Sequence, residues 1–375
     1  MRQYVYADNA ATTKMDKVAF EAMTPYLIEE YGNASQPYGF ARRPKKALQE
    51  AREIIASCIG ASPNEIFFTS GGTESDNWAI KCAAMSAEGN HTIITSSFEH
   101  HAVLHSCAAM KKQGHRIIYL EPEKTGEISP DVLKREITED TTLVSVMYAN
   151  NEIGSIQPIK ELTDIAHEKG ALFHTDAVQA VGHIPIDVKA LGVDYLSASA
   201  HKFNGMKGCG FMYMKSGQEL HPYSNGGSQE RGYRAGTENI AGIVAMAVAL
   251  KNNCDQISDN QKYIRSLENE LLSRLSATGI SYVRNGGDKI LPGLVSLSFL
   301  NADGEAILHR MDLMGISIST GSACNSKDTE ISYVLKAVGL DEKFAKGTIR
   351  ISLGKYNTYD DVEKIVNGLK KIIRQ

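Results

Sequence analysis

Between residues 65 and 210, short apolar runs rich in β-branched and aromatic residues alternate with longer stretches of helical periodicity. Strand-like runs fall at 66–68, 92–94, 116–120, 143–148, 171–174 and 195–197, with helical patterns at 76–87, 103–112, 129–135 and 159–169. Strands that alternate with helices predict a mainly parallel, doubly wound sheet. The apolar run 240–250 falls well short of the ~20 residues a bilayer span requires, so it reads as a buried helix. Beyond it lie polar residues at 252–255 and 258–260 and a long helical pattern at 263–276. Strand-like runs at 295–299, 316–318 and 348–352, a helix at 305–311 and a closing amphipathic helix at 360–373 follow. The expected fold is α/β: a large domain at 14–256, and a smaller α+β domain made of 1–13 and 257–375.

Composition narrows the function. The chain has 375 residues, enough for two or three domains, and no internal repeat. Forty Lys and Arg stand against 44 Asp and Glu, a net charge of −4 that argues against a dedicated nucleic-acid or membrane binder. Six cysteines (Cys58, Cys82, Cys107, Cys209, Cys254 and Cys324) are scattered singly, with no metal-ligand spacing. They read as reduced thiols, and the first residues lack a signal-peptide core, so the expected compartment is the cytoplasm.

In a doubly wound sheet, ligands bind at the carboxyl ends of the strands, and three polar segments follow strand-like runs. Thr69-Ser70-Gly71-Gly72-Thr73-Glu74-Ser75-Asp76 opens a helix, where backbone N–H groups can meet an anion. An ordinary strand-to-helix turn would look the same. Ala198-Ser199-Ala200-His201-Lys202-Phe203 carries a lysine that desolvation can turn into a nucleophilic amine, with Ser199 and His201 able to hold a phosphate beside it. Phe173-His174-Thr175-Asp176-Ala177-Val178-Gln179 ends an apolar run on an aspartate that wants a buried cationic partner or a helix to cap. Phosphate cradle, amine and partnered aspartate form the combination that pyridoxal phosphate needs.

Those residues carry a resemblance. With Ala7-Asp8-Asn9-Ala10-Ala11-Thr12-Thr13, Glu99-His100, Asn150-Asn151-Glu152-Ile153-Gly154 and the stretches 231–239, 319–326 and 348–354, the chain resembles the NifS/IscS-type cysteine desulfurases over nearly its whole length. These are class V, fold-type-I pyridoxal-phosphate enzymes. The resemblance implies that Lys202 carries the cofactor, Asp176 pairs with its ring nitrogen and Gln179 bonds its ring oxygen. It implies that His100 stacks on the ring and relays protons, and that Gly72, Thr73, Ser199 and His201 hold the phosphate. Thr237 would reach the phosphate of a neighbouring subunit, which makes the expected assembly a homodimer with shared sites. Asn151 would lie near the ring oxygen and the substrate carboxylate, with Arg350 clamping that carboxylate and Asn33 near the substrate.

Cys324 sits among small residues in Ser319-Thr320-Gly321-Ser322-Ala323-Cys324-Asn325-Ser326, a setting unlike a core. The resemblance makes it the thiolate that takes sulfur from L-cysteine as a persulfide, leaving L-alanine. A sulfur-acceptor protein, an iron–sulfur scaffold or a thiolation enzyme, would then receive it. The alternative readings are a selenocysteine lyase, which alanine release from cysteine and from selenocysteine would separate, and another class V aminotransferase-like enzyme, which needs no mobile thiol. A metal site at His101 and His105, spaced i,i+4, leaves Lys202 and Asp176 without a role, and no metal is expected. The other five cysteines read as small hydrophobes, or as a polar surface stretch at Cys254. The chain departs from the family pattern at Gln36-Pro37-Tyr38 and at Met206. The basic run at 42–46 reads as a solvated helix start.

Overall fold

A computed structural model describes residues 4–86, 91–218, 221–320 and 331–373. Seven strands form one sheet in the spatial order Ile66–Thr69, Gly210–Met214, Tyr195–Ser199, Leu172–Asp176, Thr141–Ser145, Thr92–Ser96 and Arg116–Leu120. Its strands are parallel except Gly210–Met214, which runs antiparallel to both its neighbours.

Adjacent residues of a strand point to opposite faces, and here both faces are covered. Phe68, Ile94, Val144, Leu196 and Phe211 join one apolar cluster with the helices Arg42–Cys58, Ile159–Glu168 and Ile240–Asp255. Their neighbours Phe67, Ile93, Leu143, Tyr195 and Met212 join another with the helices Gly72–Ser86 and His101–Lys112. The sheet is doubly wound, as the alternation of runs predicts. The strand Gly210–Met214 was not expected from the pattern. All five of its residues are buried, so it carries no polar alternation to mark it.

The polar stretch near 252–260 lies at the junction of two helices. It forms the end of the helix Ile240–Asp255 and the start of the helix Ile257–Ala277. Asn253 is buried there and donates to the carbonyls of Phe203 and Ala249. After this junction an antiparallel sheet of Tyr282–Arg284, Leu294–Phe299 and Thr348–Ser352 packs on the helices Ile257–Ala277, Gly304–Leu313 and Tyr359–Ile373. Val5 and Ala7 join that second cluster, and Val5–Tyr6 pairs with Ile316–Ser317. Val334, Leu335, Val338 and Ala345 instead join the first cluster. We propose a domain boundary at the junction of the two helices near Gln256, with the residues around 334–345 docked on the large unit.

Gly210 shows how closely the sheet holds the polar segments. It lies between Thr69 and Ser199 in the register. A Cβ there would come within 2.5 Å of the Ala198 carbonyl oxygen and 2.6 Å of the Gly71 Cα. Both obstacles are backbone, so a side chain must push two strands apart. Gly210→Ala is expected to lower stability by roughly 1–3 kcal/mol in urea unfolding, the usual range for overpacking. An unchanged midpoint would show that the strand ends can spread without strain.

Candidate active site

The carboxyl ends of the parallel strands open into a cavity of about 540 Å³. It is lined by the helix start at Gly71, Gly72 and Thr73, by His100, Asn151, Asp176, Gln179, Ser199, His201, Lys202 and Arg350, and by Ala10 to Thr12. The structure thus brings together ten of the thirteen residues singled out from the sequence, counting Gly72 and Thr73 but not Gly71. Thr237 is exposed and Asn33 half-buried; neither lines this cavity. The Asn33 Oδ1 accepts from the Ser35 backbone N–H at 2.9 Å. Cys324 lies outside the described residues.

Asp176 is the last residue of its strand and is 5% exposed. Its Oδ1 accepts from the Val178 N–H at 2.9 Å. Burial pushes its carboxyl up, while His100 and Lys202 nearby pull it down. Lys202 ends the short turn Ala200–Lys202, directly after the strand Tyr195–Ser199. Its Nζ donates to the carbonyls of Ala10 at 2.6 Å and Ala11 at 3.0 Å. Gln179 Nε2 donates to the same Ala10 carbonyl at 3.0 Å. The His183 ring nitrogen meets the Lys202 carbonyl at 2.9 Å, which fixes the lysine's backbone from behind.

His100 caps the helix His101–Lys112, accepting the Ala102 N–H through Nδ1 at 3.2 Å. The cap fixes the ring that lines the cavity, so the two uses of His100 support each other. Burial lowers the His100 pKa, so the neutral ring carries its hydrogen on Nε2. His201 is pushed down to about 4 by burial and by Lys202, and its Nδ1 meets Thr12 Oγ1 at 3.2 Å.

The glycine turn is built for close approach. Gly71 has φ +151°, and a Cβ on Gly72 would sit 2.5 Å from Val178 Cγ2. Behind the turn, Arg234 holds Glu74 through two contacts, at 2.8 and 3.1 Å. Burial would raise the Glu74 carboxyl, but Arg234 and the Ser70 N–H outweigh it and keep it lowered. Across the cavity Arg350 is 3% exposed. Its Nη2 meets Asp8 Oδ1 and its Nη1 the Asn151 carbonyl, both at 2.7 Å. The Arg350 Nε and the Asn151 Oδ1 are buried without a hydrogen-bond partner among the described residues.

Two acidic residues escaped the sequence reading. Asp76, in the helix Gly72–Ser86, is 1% exposed, and Glu99 is fully buried. Asp76 and His100 each offer a ligand atom within 4.8 Å of Asp176. Burial and the Asp176 charge push Asp76 well up. Glu99 accepts from Ser96 Oγ at 2.5 Å and the Met147 N–H at 2.9 Å, yet burial still pushes it up to about 8. The signal in the sequence was weak, since Asp76 reads as an ordinary acidic residue of a first helical turn.

Comparison with known proteins follows from this geometry. Residues 5–365 match the aminotransferase class-V family. A "Cysteine desulfurase IscS" of Methanosarcina thermophila is 46% identical, over 99% of this chain and 92% of the relative. A solved structure titled "NIFS-LIKE PROTEIN" superposes with a TM-score of 0.94 at 38% identity, covering 99% of this chain and all of the other. Another, titled "SspA in complex with cysteine", gives 0.84 at 35% identity over 94% of this chain and all of the other. The chain belongs to the class-V aminotransferase family and, within it, to the NifS/IscS type. That family depends on pyridoxal phosphate.

The buried carboxyls set a pH dependence. Glu99 has its pKa raised in the folded chain, so the folded state keeps a proton there that the unfolded chain has lost above about 4.3. Its contribution is complete below that value and disappears as pH rises toward 8. His174 and His201, pushed down to about 3 and about 4, act oppositely, because in the unfolded chain they still lose protons around pH 6.5. In the chain without added cofactor, wild type is therefore expected to lose the Glu99 contribution, a falling slope set against the rising one of the histidines, from pH 6.5 to 8. Glu99→Gln should reduce that slope by roughly 1 kcal/mol per pH unit in urea unfolding. Equal slopes would mean that Glu99 ionises normally.

Proposed function

We propose that this chain is a cysteine desulfurase that converts L-cysteine to L-alanine with pyridoxal phosphate and carries the sulfur as a persulfide on Cys324. One observation carries the reading. A lysine amine, a buried carboxyl, a capping histidine, a glycine-walled helix start and a buried arginine converge on one cavity. They do so in a chain 46% identical, nearly end to end, to a cysteine desulfurase.

The residues fit the cofactor. The glycine turn, which a Cβ would fill, suits a phosphate against the N-terminus of a 15-residue helix. Thr73, Ser199 and His201 line the same cavity and offer further donors. Asp176 suits a protonated ring nitrogen, whose charge would offset the cost of burying the carboxylate. His100 offers a flat face, and Gln179 and Asn151 offer side-chain amides for the ring oxygen. Bound pyridoxal phosphate supplies an electron-withdrawing ring that stabilises negative charge beside the amino-acid nitrogen.

The protein's own groups supply the rest. Arg350 binds the substrate carboxylate, for which its unpartnered Nε and planar fork are suited. Lys202 Nζ takes the α-proton and returns a proton to the product. Cys324 then attacks the substrate sulfur. The C–S bond breaks, an S–S bond forms, and the electron pair left on carbon is protonated to complete the methyl of alanine. A sulfur-acceptor protein takes the outer sulfur from Cys324. A thiol that must remain reduced suits the cytoplasm, and none of the described helices is long and apolar enough to cross a membrane.

A homodimer is also supported by the surface. Phe20, Leu27, Ile28, Tyr31 and Phe40 are each between 48% and 70% exposed, an apolar concentration unusual for a free surface. Thr237 is exposed, as a residue reaching into a partner's site would be in one isolated chain.

Two experiments test this reading. Purified protein incubated with L-cysteine should release alanine and carry one extra sulfur on the peptide containing Cys324. Lys202→Ala should lower alanine release by at least about a thousandfold, given the size of general-base and covalent effects. Full turnover by Cys324→Ser would remove the sulfur-acceptor assignment. Separately, light scattering should give the mass of two chains for wild type, and the doubly substituted Leu27→Asp, Ile28→Asp variant should give one. A monomeric wild type would exclude the shared site.

A further inference from the structure

Two of the cysteines read from the sequence as bland thiols meet in the structure. Cys58 is the last residue of the helix Arg42–Cys58, and Cys254 lies in the last turn of the helix Ile240–Asp255. These helices pack along each other, and both thiols border the same apolar cluster. The Cys254 thiol donates to the Cys58 carbonyl oxygen at 4.0 Å, which sets the two side chains next to each other, and the charge of Cys254 acts on the Cys58 thiol. Both residues are half-buried, open enough for a small reagent, whereas Cys82, Cys107 and Cys209 are buried. The pair is 196 residues apart in sequence, so the fold alone brings them together.

We propose that Cys58 and Cys254 form a reversible disulfide site, oxidised by small-molecule disulfides and reduced by thiols, and separate from the sulfur-transfer thiol. The two sulfurs are not equivalent. The hydrogen bond from the Cys58 thiol favours the thiolate of Cys254 and lowers its pKa, while Cys58 is raised. The Lys251 amine, on the same helix, favours both thiolates, and Asp255 opposes it. Burial pushes Cys107 up to about 12 and Cys209 up to about 11, which leaves them poor competitors.

The chemistry balances without a further reactant. The Cys254 thiolate attacks one sulfur of the small disulfide, whose S–S bond breaks and releases one small thiolate. The Cys58 thiolate, having lost its proton to solvent, then attacks Cys254 Sγ in the mixed disulfide. The Cys58–Cys254 bond forms and the second small thiolate leaves. Two electrons pass from the protein thiols to the small disulfide. The new bond would fasten the end of one helix to the other, one turn before the chain enters the helix Ile257–Ala277 and the second apolar cluster.

The test uses the cofactor-loaded protein with Cys324→Ser, so that the sulfur-transfer thiol does not consume reagent. Oxidised glutathione is added, and the chain is digested without reduction. The expected product is a cross-linked peptide pair containing Cys58 and Cys254, two hydrogens lighter than the two free peptides. Thermal unfolding should shift upward by several degrees on oxidation and return with dithiothreitol. Cys254→Ser should abolish both effects. Recovery of Cys58 and Cys254 as free thiols would overturn the proposal, as would glutathione left on Cys254 with no cross-link. Because the cross-link is sought with both cysteines intact, a misfolded serine variant cannot obscure the result. Desulfurase turnover is not read, so the two proposals fail independently.

Discussion

Asp176 places a carboxyl at the end of a strand whose last four residues are buried, in a sheet covered on both faces. An ionised carboxylate in such a position is costly unless a cation or several donors meet it. The described residues give it one backbone N–H through Oδ1, with His100 and Lys202 at a distance. Asp76 makes the position more costly, because two buried carboxyls so close together cannot both ionise cheaply. Much of the site follows from this one constraint. A protonated ring nitrogen, the partner proposed for Asp176, would relieve it, and cofactor binding and the charge state of Asp176 would then be two sides of one equilibrium.

The sheet determines where that equilibrium can be exploited. Parallel strands end on the same side, so the segments after Thr69, Asp176 and Ser199 meet without long loops. The antiparallel strand Gly210–Met214 closes the gap between the strands that end at Thr69 and Ser199, and Gly210 keeps their ends close. The other wall comes from the far sheet. Its Arg350 reaches the cavity because the chain's beginning runs between the two units. Asp8 meets Arg350, the carbonyls of Ala10 and Ala11 receive Lys202, and Thr13 bonds the backbone of His201 and Asn204. Asp16 continues the seam with Lys355 and Tyr356. A segment without long secondary structure therefore sets the spacing between the amine and the guanidinium.

What was legible in the sequence has a physical pattern. The parallel sheet announced itself because its strands are separated by helices, and the polar segments after those strands follow from the same logic. Lys202, Asp176 and the glycine turn were visible because each is a polar feature at the end of an apolar run. The strand at 210–214 was hidden because a fully buried strand has no alternation. Asp76 and Glu99 were hidden because burial, not residue type, makes them unusual. Cys254 was misread because its polar neighbours Asn252 and Asp255 mark the outer face of a helix, while its own side faces Cys58. Contacts between residues 196 positions apart leave no local periodicity to read.

The chain that flanks residues 321–330 adds one last restriction. Ser319 pairs by two backbone hydrogen bonds with Arg350, the residue suited to hold the substrate carboxylate. On the other side, Ser332 Oγ donates to Glu152 at 2.5 Å, one residue from Asn151, and the Tyr333 hydroxyl donates to the Glu99 carbonyl at 2.6 Å. The chain on either side of residues 321–330 is thus fastened to residues that line the cavity or adjoin those that do. Arg350 in turn donates to the Asn151 carbonyl, so the contacts on both sides meet at residues 151 and 152, and a shift of that segment would move the guanidinium and the Ser319 and Ser332 anchors together.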